Sequence, residues 1–98
     1  MNIKQSQQQE DEIRVKILKA LAEPARLEII RLLKNSDKEV GCGEVGENIK
    51  LSKSTVSYHF KALREAGLTS TRKESREKFV TLNKDTFDKY LPGFLDSL

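Results

Sequence analysis

The stretch from residue 52 to residue 67 constrains the fold more than any other part of the sequence. Val56, Phe60 and Leu63 recur there at i, i+4 and i+7, the spacing that lines one face of an α-helix with apolar side chains. The opposite face carries hydroxyls, a phenol and an ammonium group, from Ser54, Ser57, Tyr58 and Lys61. The pattern predicts a helix that is buried along one side and free to bind along the other.

This helix, the fourth in chain order, has residues suited to both of its ends. The Ser52 hydroxyl can cap the first turn, with Ser54 as a second candidate, because a side-chain oxygen there accepts from free backbone N–H groups. Gly67 suits the left-handed conformation that commonly ends a helix. Leu51-Ser52 also closes a shorter helix predicted over about residues 44–50, so the two helices are expected to meet at a tight turn.

A β-hairpin is predicted directly after these helices. Residues 68–73 and 78–82 are rich in Thr, Val, Phe and Leu, and the charged residues 74–77 lie between them. Two short helices joined by a tight turn and followed by a basic hairpin are typical of a winged helix-turn-helix. The predicted fold is therefore mainly α with a small β-hairpin wing.

The other segments are expected to complete one domain over residues 10–98. They are predicted as helices over residues 10–21 and 24–34, a short extended piece over residues 39–43, and a helical segment over residues 85–98 that Pro92-Gly93 interrupts. Residues 1–9 are polar, Gln-rich and aperiodic, so we expect them to form a flexible tail.

Positive charge is concentrated in one part of the chain. The 98 residues carry a net charge of +3, yet eight bases against three acids between Lys50 and Val80 give that segment +5 and leave −2 for the rest. Such a distribution suits a polyanion-binding face, and the alternative is a solvated basic surface without a partner.

Double-stranded DNA is the polyanion that this arrangement suits. Outward hydroxyls and a phenol can exchange hydrogen bonds with base edges, whereas flanking and wing bases suit the phosphates that fix the register. The candidate DNA-binding residues are Lys53, Ser54, Thr55, Ser57, Tyr58, His59, Lys61, Arg64, Arg72, Lys73, Arg76 and Lys78. The alternatives are an amphipathic helix with a solvated face and a charged hairpin tip that only keeps an edge strand soluble.

Two runs, LKALAEPARLEIIRLL over residues 18–33 and LSKSTVSYHFKALREAGL over residues 51–68, resemble the signature stretches of the ArsR/SmtB family of bacterial repressors. The resemblance covers about Ile13 to Leu82. It implies a homodimer paired through the first and last helices, with the fourth helix in the major groove of a palindromic operator. It also implies repression by promoter occlusion, usually relieved by a metal or another signal.

The metal-sensing residues of that family are not matched. Members often carry Cys-x-Cys in the third-helix region, and Gly41 and Gly43 stand at these positions with Cys42 between them. Other members place Asp and His ligands on the last helix, where this chain has Asp85 and Asp88 but no histidine. With one Cys and one His in the chain, we expect no thiol-rich metal site and no cofactor. The signal to which the protein responds is left open, and the alternatives are an organic ligand, a thiol oxidant or no effector at all.

The single cysteine and histidine have simpler interpretations than metal binding. We interpret Cys42 as a small, partly buried strand residue, with a redox switch or pairing with its symmetry mate as alternatives. His59 is expected to contact a phosphate or to pack as a ring rather than to act as a metal ligand. Asp85 and Asp88 are expected to be solvated and to favour the start of a helix.

The apolar stripe of the last segment is interpreted as a dimer seam, and an alternative is a pocket between two copies. Its members are Phe87, Tyr90, Leu91 and Phe94. A chain of this length buries a modest share of its surface, so pairing with a second copy would add buried area.

Several classes of protein are excluded by what the sequence lacks. No apolar run suits a signal peptide or a membrane span, so we expect a cytoplasmic protein without a membrane partner. No nucleophile–base pair, phosphate loop or paired carboxylates suggest catalysis, so we expect that the protein is not an enzyme. The alternative to a DNA-binding regulator is a winged-helix module that binds another protein and lacks specific DNA binding.

Overall fold

A computed structural model describes the backbone of residues 3–98 and the side chains from residue 6 onward. Its elements in chain order are α1 (Ile3–Leu21), α2 (Pro24–Lys34), β1 (Val40–Gly41), α3 (Cys42–Ile49), α4 (Lys53–Glu65), β2 (Thr69–Glu74), β3 (Glu77–Leu82), α5 (Lys84–Tyr90) and α6 (Phe94–Ser97). The predicted fold class, mainly helical with a β-hairpin wing, is confirmed.

The first helix is longer than the sequence pattern predicts. α1 begins at Ile3, so residues 3–9, which were expected to form a flexible tail, have helical backbone geometry, while residues 1 and 2 lie outside the described part of the chain. Residues 3–9 include four Gln and one Lys, which have high helix propensity, and a helix already nucleated by its packed half extends through them at little cost. Of the helices described over residues 3–98, none is long and apolar enough to cross a membrane.

The hydrophobic core forms around α2, whose bounds match the predicted ones. Ile29 and Ile30 are fully buried, and Leu33 is 4% exposed. α1, α3, α4 and β3 pack against this helix, and apolar side chains from these elements, from α5 and from Leu68 join the core. Those that are fully buried are Ile17, Val45, Leu63, Leu68, Val80 and Phe87. The core therefore connects both ends of the domain with the helix pair and the hairpin.

The hairpin belongs to a three-stranded antiparallel sheet with the order β1-β3-β2. β1 is shorter than the predicted extended piece because α3 already begins at Cys42. Its Val40 pairs with the fully buried Val80 of β3. The sheet thereby ties the hairpin to the segment that precedes α3.

The last segment is interrupted where the sequence predicts. α5 ends at Tyr90, and α6 starts after Gly93, which adopts a φ of 83°. The rings of Phe87 and Phe94 stack with centroids 6.1 Å apart. Phe87 is only 1% exposed and belongs to the core of its own chain, so its interpretation as a seam residue is wrong. Tyr90 and Phe94 are half-buried.

Gly67 ends α4 with a φ of 78°, and a Cβ added there would meet no atom within 4 Å. The cost of Gly67→Ala is therefore that of the left-handed backbone alone. We predict a decrease of about 1 kcal/mol in the free energy of unfolding, measured by urea denaturation followed by far-UV circular dichroism.

Gly43→Ala is the matched control, because Gly43 lies inside α3, has equally open surroundings and no positive φ. Alanine there should leave stability unchanged or raise it by roughly 0.5–1 kcal/mol. Equal stability of the two variants would contradict the role given to Gly67.

Candidate nucleic-acid interface

The turn between α3 and α4 fixes the direction of α4. Lys50 adopts the left-handed conformation with a φ of 54°, and the N–H of Leu51 donates to the carbonyl of Gly46 at 3.3 Å. The Oγ of Ser52 then accepts from the N–H of Thr55 at 3.3 Å. The predicted Ser52 cap is thus confirmed, and it satisfies one of the free N–H groups of the first turn.

The two helices of this turn approach each other closely at Gly46. A Cβ added there would lie 3.4 Å from Cγ2 of Val56 and 3.7 Å from the carbonyl oxygen of Leu51. These are ordinary van der Waals distances, so α3 and α4 are packed in direct contact at this point.

The two faces of α4 differ sharply in exposure. Val56, Phe60 and Leu63 are at most 4% exposed and face the core. The opposite face is open to solvent. Its exposed residues are Ser54, Ser57, Tyr58 and Lys61, and Tyr58 is 62% exposed. The geometry predicted from the helical spacing is therefore confirmed, and the hydroxyls, phenol and ammonium share one open surface.

Three of the candidate DNA-binding residues, one polar and two basic, lie at the flanks of that surface. Lys53 and Arg64 are exposed near the two ends of α4. Thr55 is half-buried, and its Oγ1 lies 2.8 Å from the Oγ of Ser52. The two bases are thus open to a ligand, whereas the Thr55 hydroxyl is engaged in the cap.

His59 does not belong to the open surface. It is 7% exposed, and its Nδ1 accepts from Nε of Arg26 at 3.1 Å and lies 3.4 Å from Oε2 of Glu23. Of the two arrangements expected from the sequence, the packed ring is the one observed, and the imidazole does not belong to the face that is open to a phosphate. The position next to Phe60 turns the imidazole toward the start of α2 rather than outward.

The buried arginine that meets this ring is a residue that the sequence reasoning missed. Arg26 is 6% exposed and shares one face of α2 with Ile29, Ile30 and Leu33. The spacing i, i+3, i+4 and i+7 from Arg26 was the signal that could have placed it inside. A charged residue on an apolar stripe calls for a buried polar partner, which His59 supplies.

The wing presents three basic side chains to solvent. Lys73 and Lys78 lie opposite each other on β2 and β3, and Arg76 lies in the turn that joins the two strands. All three residues are exposed. The tip of the hairpin thus carries three exposed positive charges.

Arg72 differs from these three bases because acidic partners surround it. Its guanidinium binds both carboxylate oxygens of Glu39, donates from Nη1 to Oε2 of Glu74 at 2.9 Å, and lies 5.0 Å from the ring centroid of Phe79. These hydrogen bonds raise the pKa of Arg72 and lower the pKa of Glu39. Arg72 is thus exposed to solvent, with 51% of its side chain accessible, yet it is already paired with two carboxylates.

A groove of about 1040 Å³ lies between the helix pair and the hairpin. Lys61 and Arg64 line it from α4, and Lys78 lines it from β3. Cys42 also lines it, as the first residue of α3 and not as the predicted strand residue. Partial burial raises the pKa of the Cys42 thiol, against the lowering effect of Lys78 and Arg64, so the thiol is protonated at neutral pH.

The acidic residues of the last segment do not assemble into a site. Asp85 and Asp88 are both exposed on α5, and Asp85 lies in its first turn. Among the side chains that the structure describes, no three His, Cys, Asp or Glu residues gather closely enough to hold a metal ion.

These features define the class of protein. A capped helix follows a tight turn, carries an open polar face, and is flanked by a basic hairpin in a winged helix-turn-helix, the arrangement with which transcriptional regulators read DNA.

Comparison with known proteins gives the family. A family model described as a helix-turn-helix domain matches residues 21–72. The chain is 59% identical over 98 residues to the HTH-type transcriptional regulator YceK of Bacillus subtilis, covering 100% of this chain and 95% of that protein. It is 38% identical over 80 residues to an arsenical resistance operon repressor of Staphylococcus xylosus, covering 82% of this chain and 74% of that protein.

The solved structure of a transcriptional regulator HlyU from Vibrio vulnificus has the same fold, with a TM-score of 0.71 and 36% sequence identity over 99% of this chain and 97% of that one. The protein belongs to the ArsR/SmtB family of winged helix-turn-helix transcriptional regulators and is not an enzyme. The resemblance seen in the two sequence runs is thereby confirmed.

The Glu39–Arg72 pair predicts a pH-dependent contribution to stability. Because the pKa of Glu39 is lowered in the folded protein, its contribution is present above the ordinary value of 4.5 and is lost as the pH falls through the lower folded value. Glu39→Gln should therefore lower the melting temperature at pH 7, and the gap to the unmodified protein should close in acid.

Glu12→Gln, at an exposed position on α1, is the control for loss of a carboxylate as such. Melting curves between pH 7 and pH 3 measure both variants. A gap for Glu39→Gln that stays constant over this range would contradict the pairing.

Proposed function

We propose that two copies of this chain bind a palindromic operator, insert α4 of each copy into the major groove, and repress transcription by occluding a promoter. The observation that carries the proposal is the division of α4 into two faces. One face is buried through Val56, Phe60 and Leu63, while the other presents hydroxyls, a phenol and a lysine to solvent. A helix held in this way fits the major groove with its polar face toward the base edges.

Direct reading of the sequence is assigned to the centre of the open face. The hydroxyls of Ser54 and Ser57 and the phenol of Tyr58 can donate or accept hydrogen bonds, so they suit the mixed donor and acceptor pattern of base edges. Lys61 can reach a guanine or a phosphate from the same face. All four are exposed, so none has to break a buried contact to meet DNA.

Binding of the phosphate backbone is assigned to bases around that face. Lys53 and Arg64 flank it on α4, and the wing adds Lys73, Arg76 and Lys78. Their ammonium and guanidinium groups would neutralise phosphates and fix the register of the helix in the groove. His59 and Arg72 are not included in the proposal, because one is buried and the other is bound to two carboxylates.

A homodimer is supported by the apolar side chains that one copy leaves uncovered. Ile13, Val15 and Leu18 of α1 are 41%, 48% and 52% exposed. The guanidinium of Arg14 lies 5.8 Å from the ring centroid of Tyr90, so α1 and α5 are neighbours. Val15 and Leu18 lie about 60° apart around the axis of α1 and offer an apolar surface on that side, whereas Ile13 lies on the other side of the helix. A second copy packed there would cover this surface and present two copies of α4 to one side of a duplex, about one helical turn (~34 Å) apart.

Repression as the output is supported by the similarity to the staphylococcal arsenical resistance operon repressor. A dimer that occupies a promoter excludes the polymerase without further machinery. The arsenical signal in that protein's name is not carried over, because a soft-metal site needs several thiol or imidazole ligands and Cys42 is the only cysteine in this chain.

Selection of genomic DNA fragments by the purified protein at physiological salt tests the proposed function. We predict recovery of a promoter fragment containing an inverted repeat with half-sites about 10 base pairs apart, centre to centre. A gel-shift assay with a scrambled fragment is the control. Weak binding to both fragments alike would contradict the proposal and favour a protein-interaction module, while a site without symmetry would contradict the dimer.

Lys61→Ala separates phosphate binding from reading of the bases. If Lys61 contacts a phosphate, its loss should weaken binding to all sequences and reduce the slope of log Kd against log salt by up to about one unit per subunit. Lys84→Ala, which removes the same charge at the exposed start of α5, is the control and should leave the slope unchanged. An unchanged affinity of Lys61→Ala across salt concentrations would remove Lys61 from the interface.

A further inference from the structure

A buried arginine connects the core to the open face of α4. Nε of Arg26 donates to Nδ1 of His59 at 3.1 Å, and Nη1 donates to the carbonyl of Ala20, the penultimate residue of α1, at 3.3 Å. Oε2 of Glu23 lies 3.6 Å from Nε. One side chain of α2 thus holds the end of α1 and the middle of α4 together.

The same guanidinium reaches the outward side of α4. Its central carbon lies 5.4 Å from the ring centroid of Tyr58, and the rings of Tyr58 and His59 meet edge to face with centroids 5.5 Å apart. Tyr58 is 62% exposed, whereas Arg26 is 6% exposed. A solvent-exposed ring therefore rests on a buried cation, an arrangement in which the planar guanidinium can stack on the aromatic face.

The hydrogen bond from Arg26 defines the state of the imidazole. Because the guanidinium can only donate, Nδ1 of His59 is the acceptor in this hydrogen bond, and a neutral ring then carries its proton on Nε2. Oε2 of Glu23, 3.4 Å from the same Nδ1, would be the partner of the opposite tautomer. The contact is directional, unlike the apolar packing of Val56, Phe60 and Leu63. It can therefore fix the rotation of α4 about its axis and the side-chain conformation of Tyr58.

We propose that Arg26 is a positioning residue that holds Tyr58 in its DNA-reading conformation through the guanidinium stack and the bond to His59, and so contributes to base preference without touching DNA. The inference rests on the proposed function of α4. A ring that is already held in place loses less conformational freedom when it meets a base, and this favours the sequence that matches that one conformation.

Arg26→Lys is the first variant to measure, because it keeps the positive charge and loses the planar stack. In selection from a randomised operator, we expect the preference at the base positions that Tyr58 contacts to fall about 2- to 5-fold, the range of a partly exposed cation–π contact. Arg31→Lys, the same change at an exposed position of α2, is the control and should leave the preference unchanged.

Tyr58→Ala in combination with Arg26→Lys distinguishes positioning from a general loss of structure. If Arg26 acts through Tyr58, adding Arg26→Lys to Tyr58→Ala should not change the base preference of Tyr58→Ala any further. The proposal would be overturned if Arg26→Lys weakened binding to every DNA sequence equally, and by the same factor in the unmodified protein and in Tyr58→Ala.

Variants of His59 provide a test should Arg26→Lys fail to fold. The side-chain oxygen of asparagine can take the place of Nδ1 as acceptor, whereas leucine fills the space and leaves the guanidinium without its acceptor. We expect His59→Asn to keep the base preference and His59→Leu to lose it. Equal preferences of the two variants would contradict the proposed path from Arg26 to Tyr58.

A measurement without DNA separates this inference from the proposed function. Because the chain has a single histidine, ¹⁵N NMR of the imidazole reports on His59 alone. We expect the Nε2–H tautomer in the unmodified protein and a shifted Nδ1 resonance in Arg26→Lys. An Nδ1–H tautomer would overturn the inference whether or not the protein binds DNA, whereas an Nε2–H ring in a protein that selects no DNA would count against the proposed function alone.

Discussion

Burial of one face of α4 is the interaction on which the other features of this domain depend. Val56, Phe60 and Leu63 lie inside the core, and α4 packs against α1, α2, α3 and β2. Complete burial of such side chains stabilises a fold by roughly 1.5–3 kcal/mol each, more than the net contribution of a typical hydrogen bond of about 0.5–1.5 kcal/mol. The apolar face therefore decides which way α4 points, and the polar face opposite is exposed as a consequence. The cap at Ser52 and the left-handed Gly67 only set where the helix begins and ends.

The same physics explains which features the sequence alone could predict. Helical spacing reports burial, so the two faces of α4, its cap and the interruption at Pro92-Gly93 could be predicted from the residues. The helical geometry of residues 3–9 could not, since these residues have little apolar surface to bury and their helix depends on propensity and on the turns that follow. Partners distant in sequence also escape a local pattern. His59 and Arg26 are separated by 33 residues, and only the packing of α2 against α4 brings them together.

The number of charged residues in a segment likewise does not reveal which of them have partners distant in sequence. Counting bases between Lys50 and Val80 identified the basic part of the domain, but a count does not distinguish an accessible charge from one with an internal partner. Arg72 and Glu39 are also 33 residues apart, and their side chains meet across β3, because β3 lies between β1 and β2 in the sheet and Phe79 pairs with both Gly41 and Arg72. Lys73, Arg76 and Lys78 remain exposed on the same hairpin. Only the fold divides the basic residues into these two groups.

Two arginines that a charge count would assign to DNA or to solvent thus hold the surfaces that face the proposed duplex. Arg72 ties the wing to the residue before β1, and Arg26 ties α4 to the end of α1 and the start of α2. Apolar packing places α4 but is non-directional, and it tolerates small rotations that hydrogen bonds do not. Reading a base edge requires donors and acceptors in register within the narrow range of hydrogen-bond distances. An interface of this kind therefore needs directional contacts behind it as well as a hydrophobic core, and the planar, permanently charged guanidinium is well suited to supply them.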